Sequence, residues 1–80
     1  MDDVEKQLRK MPKHERNRIL DVMQRIIERD FSLLDRLKLK GYKHVFRVRV
    51  GDYRIIYHDD DHDIVFEAVV RRNEHTYEDF

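Results

Sequence analysis

Eighty residues, 42% of them charged, with a formal net charge of zero and no cysteine, describe one small domain that no disulfide can staple. The lack of cysteine fits a reducing cytoplasm. No apolar run approaches the ~18 residues of a membrane span, and no signal-like order of charged, apolar and small residues opens the chain, so a soluble, unexported protein is expected. The neutral total conceals an asymmetry: residues 1–54 carry fifteen lysines and arginines against nine acids, and residues 55–80 carry two against eight. Between Arg36 and Arg54 stand seven basic residues and one acid, Asp52. A polyanion feels such a block within a Debye length of ~8–10 Å, although a solvated basic face has the same composition.

In chain order, Asp2 or Asp3 can cap a short helix with Val4, Leu8 and Met11 on one side. Pro12 interrupts it and is suited to the first turn of a second helix, where Ile19, Val22, Met23, Ile26 and Ile27 recur with helical period. Arg16, Arg18, Arg25 and Arg29 decorate its other sides, which predicts a helical hairpin with one apolar stripe. Phe31, Leu33, Leu34, Leu37 and Leu39 are expected to end the second helix and cross the core before Gly41 breaks the pattern. The period then changes to two. Phe46, Val48 and Val50 alternate with Arg47 and Arg49; Tyr53, Ile55 and Tyr57 alternate with Arg54, Ile56 and His58; a third run extends from Ile64 to Arg71. These are three strands in meander order, joined by a two-residue turn at Gly51-Asp52 and by the DDDHD stretch. The tail, Asn73 to Phe80, is a loop or one helical turn. The expectation is thus an α+β fold, a helical hairpin on a small antiparallel sheet, forming a single domain over residues 1–80.

A two-residue loop at Gly51-Asp52 pairs Val50 with Tyr53 and so sets Arg49 opposite Arg54, with Arg47 two residues along on the same face. Like charges facing each other across strands are destabilising. A phosphate between them reverses the sign, because planar guanidinium groups make charge-assisted, paired hydrogen bonds to anionic oxygens. If the next turn aligns Tyr57 with Ile64, Glu67 falls opposite Arg54 as a neutralising partner, and Arg71 and Arg72 emerge near Arg49 and Arg47. Parity puts Arg71 on the arginine face, and a bulge would substitute Arg72. His58 and His62 beside Asp59, Asp60, Asp61 and Asp63 fit a polar turn better than a metal site: the spacing lacks the glycine and distal glutamate of a calcium loop and shows no four-ligand zinc pattern.

The run LKGYKHVFRVRVGDYRIIY resembles the stretch of the RelE/ParE toxin superfamily that leads from a leucine and glycine through an arginine-bearing strand to a Gly-Asp-Tyr-Arg turn. EKQLRKMPKHERNRI is similar to its helical hairpin, and VVRRNEHTY to its closing strand, basic pair and near-terminal tyrosine. In one respect the chain departs from the pattern. Family members usually begin with a strand before the hairpin, whereas helix follows Met1 at once here, a difference that would expose a sheet edge.

The resemblance implies a toxin of a toxin-antitoxin system, and its RelE branch implies a metal-independent endoribonuclease that cuts mRNA in the ribosomal A site without a cofactor. In that reaction a ribose 2′-hydroxyl attacks its neighbouring phosphate. Matched residue by residue, Arg49, Arg54, Arg72 and Tyr77 become the catalytic candidates, and Arg47, Arg71 and Lys43 the phosphate-binding ones. The arginines suit the charge that builds on the phosphorane. Tyr77 transfers a proton, stacks on a base or caps the core. The implied partners are a cognate antitoxin and the ribosome with its mRNA, and not a membrane. Two other readings stand beside this one: a ParE-like inhibitor of DNA gyrase, and a catalytically degenerate module that holds RNA or antitoxin without cleavage.

Overall fold

The computed structural model describes residues 4–71. Two helices, α1 (Val4–Arg9) and α2 (Lys13–Ile27), precede four strands: β1 (Asp35–Lys38), β2 (Val45–Val50), β3 (Tyr53–Asp59) and β4 (Ile64–Arg71). The strands form one antiparallel sheet in the order β1-β2-β3-β4. The α+β class and the expected three-strand meander are both present, and β1 adds a fourth strand that the pattern of residues did not disclose.

The chain breaks at Pro12, which caps α2 at φ −56°, ψ 146°, while its carbonyl accepts from Arg16 N–H at 2.9 Å. A ring-locked φ and a missing N–H suit a residue that opens a helix. Ile19 and Ile26 deliver the apolar stripe to the core, with Val22 and Met23 packed beside them, whereas Ile27 faces outward.

The helix ends earlier than the leucine-rich patch suggested. Arg29 adopts left-handed φ 59°, its N–H donates to Ile26 O at 3.0 Å, and the Asp30 N–H donates to Arg25 O at 2.9 Å. This is a Schellman closure, which satisfies the last carbonyls. An arginine is unusual in the left-handed position, and its side chain is tied down: Arg29 Nη1 donates to both oxygens of buried Asp59, at 2.9 and 2.8 Å. That bond fastens the end of α2 to the end of β3.

In β1 the polarity is inverted. Arg36 and Lys38 face the helices while Asp35 and Leu37 face away, because Arg36 pairs with Val48 and Asp35 with Arg49. The Arg36 guanidinium lies 4.1 Å from the Phe31 ring centroid and 4.0 Å from that of Phe46, and its Nε donates to the Tyr57 hydroxyl at 2.6 Å. An arginine can therefore point inward, since flat aromatic faces attract its charge and its donor is used.

At the β2–β3 turn Gly51 takes φ 58° while Asp52 keeps a negative φ, the arrangement of a type II′ hairpin. The second turn is closed by the Asp60 carboxylate, which accepts from the N–H groups of His62 and Asp63 at 3.0 and 2.8 Å. Leu8, Met11, Ile19, Ile26, Val48, Val50, Tyr53, Ile55, Tyr57 and Val69 form the core between the helices and one face of the sheet. At the outer edge of β4, Val69 N–H donates to Gln7 Oε1 at 2.8 Å, so α1 supplies an acceptor to a strand edge.

Candidate functional site

The face of the sheet turned away from the core carries the arginines. Arg49 stands directly opposite Arg54, as the two-residue turn requires, and Arg47 stands opposite Ile56. Val50 and Tyr53 close the hairpin as its hydrogen-bonded pair, so Arg49 and Arg54 occupy the non-bonded rung, in which side chains come nearest at roughly 4.5–5.5 Å between Cβ atoms. Two unit charges ~5 Å apart repel by about 1 kcal/mol in water and roughly 3 kcal/mol at an effective dielectric of 20. Exposure along the row is uneven, with Arg49 half exposed. Arg54 is 9% exposed, and Ile56, between Arg54 on its own strand and Arg47 across the ladder, is fully buried. At the turn itself the Arg18 guanidinium from α2 lies so close to Gly51 that a Cβ there would approach Nη1 to 3.0 Å.

The neutralising carboxylate is not the expected one. Asp59, not Tyr57, pairs with Ile64, and a bulge in β4 leaves Glu67 between Phe66, opposite Tyr57, and Ala68, opposite Ile56. Val70 therefore stands opposite Arg54. Among the described residues, Asp35 of β1 is an acid that the fold brings to Arg47 and Arg49: its Oδ1 lies 3.6 Å from Arg47 Nη2 and its Oδ2 3.8 Å from Arg49 Nε. Sequence reasoning passed over Asp35 because β1 was not read as a strand.

The same bulge reverses Arg71. It pairs with Tyr53 on the helix side, with its guanidinium 5.9 Å from the Tyr53 ring centroid. There it borders a cavity of about 380 Å³ with Gln7, Lys10 and Glu15. Arg71 is thus not on the arginine face. Tyr53 donates its hydroxyl proton to Glu15 Oε2 at 2.8 Å; burial, and then this carboxylate, push its pKa above the ordinary phenol value. Lys43 is exposed in the β1–β2 loop, in the turn that precedes β2 and outside the strand that carries Arg47 and Arg49. His58 shares the arginine face by alternation, but it stands at the far end of the row and its ring meets His44 edge-on at 5.8 Å. Arg72, Tyr77 and His75 lie outside the described residues. Of the proposed site, then, the fold gathers Arg47, Arg49 and Arg54, and adds Asp35.

A helical pair on one face of a four-stranded antiparallel sheet is the architecture of a RelE-like toxin. The family model described as "ParE toxin of type II toxin-antitoxin system, parDE" matches residues 1–76. Toxin RelE3 of Methanocaldococcus jannaschii is 37% identical over 71 residues, covering 84% of this chain and 80% of the relative. A crystal structure of a RelB-RelE antitoxin-toxin complex from Methanococcus jannaschii superimposes with a TM-score of 0.71 at 35% identity, covering 86% of this chain and 84% of that one. The chain belongs to the ParE toxin family of type II toxin-antitoxin systems, within the RelE/ParE superfamily, and it is RelE-like in sequence and fold.

Proposed function

We propose that this chain, as one toxin domain over residues 1–80, is a ribosome-dependent mRNA endoribonuclease of the RelE type, acting in the cytoplasm and restrained by a cognate antitoxin. One observation carries the reading: the register sets Arg49 directly opposite Arg54 on a rigid sheet, with Arg47 on the same face, so that three guanidinium groups are gathered where they can hold an RNA phosphate. Both relatives are named RelE, and the solved one is bound to RelB, which supports an antitoxin partner here.

In the proposed reaction a 2′-hydroxyl attacks the adjacent phosphorus, the 5′-oxygen leaves, and a cyclic phosphate remains. Arg49 and Arg54 offset the charge growing on the phosphorane, and Arg47 holds a flanking phosphate. Proton transfer is assigned to Tyr77 or a basic residue, with the ribosome orienting the message.

The test is primer extension on mRNA in a translating extract. Cuts at A-site codons should appear with the protein, disappear when ribosomes are removed, and fall by about a hundredfold or more in Arg54→Ala, with antitoxin binding much less affected. Unchanged cleavage by a folded Arg54→Ala variant would refute the arginine-face mechanism. The family model itself favours a second reading, inhibition of DNA gyrase in the manner of ParE. Intact mRNA together with gyrase-linked DNA damage would establish that alternative.

A further inference from the structure

Asp35 is placed unlike an ordinary surface acid. It faces the arginine row from the edge strand, directly across from Arg49, and each of its two oxygens approaches a different arginine. The separations of 3.6 and 3.8 Å exceed hydrogen-bond range, so the carboxylate balances charge without locking either guanidinium. Its side chain is 58% exposed and free to turn outward, whereas the Arg47 side chain is only 15% exposed and its Nε is buried with no hydrogen-bond partner. An arginine with an idle buried donor is incompletely satisfied in this state.

A carboxylate that spans two guanidinium groups presents two anionic oxygens much as a phosphodiester does. We propose that Asp35 is an internal counter-anion that occupies the place of an RNA phosphate between Arg47 and Arg49, and that single-stranded RNA displaces it on binding. The inference rests on the reading of this face as an RNA site. Asp35 relieves the repulsion within the arginine row of the free protein. When RNA arrives its charge opposes the phosphate, so the acid lowers affinity for RNA met away from the ribosome. Asp35 is in this sense a specificity-setting residue.

The test is fluorescence anisotropy with the full chain and a short single-stranded RNA, 2′-O-methylated to block cleavage. Removing one negative charge beside a phosphate should tighten binding by Asp35→Asn about three- to tenfold at about 50 mM salt, with the gain shrinking as salt rises. Asp35→Glu, which keeps the charge, should stay within about twofold of the parent. Equal or weaker binding by a folded Asp35→Asn variant would overturn the proposal. Arg49→Ala serves as the control for the underlying reading. If it loses affinity while Asp35→Asn gains none, only the role of Asp35 fails; if it binds RNA as the parent does, the RNA face fails as well. The unmutated chain gives an independent measurement by NMR. The Asp35 carboxyl carbon and the Arg47 and Arg49 Nε–Hε signals should all move on saturation with RNA, and a stationary Asp35 signal would overturn the displacement.

Discussion

Arg49 stands where its own charge works against the stability of the sheet. It is 49% exposed, stands on the non-bonded rung opposite Arg54, and has an Asp35 oxygen at 3.8 Å. Replacing it with threonine keeps a residue suited to a strand and removes the facing charge. Arg49→Thr should therefore stabilise the free protein by about 0.5–1 kcal/mol at low salt. Thermal melts should show the gain narrowing as ionic strength rises, since screening already weakens the repulsion in the parent. A lower melting temperature at every salt concentration would mean that the rung is not under electrostatic strain.

Strand β1 depends on a single inward arginine. Arg36 fills the space between Phe31 and Phe46 and reaches the Tyr57 hydroxyl, whose pKa is raised by burial and drawn back by that same guanidinium. Without it, β1 keeps its ladder to β2 but loses its anchor to the core. Arg36→Ala should cost about 1–3 kcal/mol from the lost cation–π contacts and the orphaned hydroxyl. Native-state hydrogen exchange should find faster exchange of the inward β1 amides, while the centre of β3 stays protected. Because β1 carries Asp35, loosening this strand should also weaken the neutralisation of Arg47 and Arg49. Uniform loss of protection over the whole sheet would contradict a local role.

For the molecule as a whole, the Arg29–Asp59 bond closes the helix pair onto the sheet and makes stability depend on pH. Burial alone would raise the Asp59 carboxyl, but the bonds from Arg29 and the Asp61 N–H outweigh it and hold the group below the usual carboxylate range. The N–H groups of Asp63 and His62 lower Asp60 in the same direction. A folded-state pKa below the unfolded value of about 3.9 means that the unfolded chain binds protons first. The contribution is therefore complete above that pH and is lost as pH falls through the lowered folded value. Urea titrations at several pH values should show stability dropping below about pH 4. Asp59→Asn should be less stable at neutral pH and show a shallower acid dependence, and an unchanged acid slope would contradict the assignment. An antitoxin that binds only the folded toxin would shift all these transitions upward by mass action.

The sequence by itself determined what is local. Alternation of period two marked β2, β3 and β4, and the Gly51-Asp52 turn set Arg49 against Arg54, because a two-residue loop leaves one register and parity then orders every side chain. The apolar stripe of α2 and the break at Pro12 were legible for the same reason. Only the tertiary structure decided what depends on distant partners. Strand β1 reads with the wrong polarity until Phe31, Phe46 and Tyr57 surround Arg36. The extra residue at Glu67 shifts every later position in β4 by one, which moves Arg71 to the helix side and leaves Val70 opposite Arg54. Asp35 reaches the arginines through pairing between strands whose sequences lie fourteen residues apart at that rung, a contact that no local periodicity encodes.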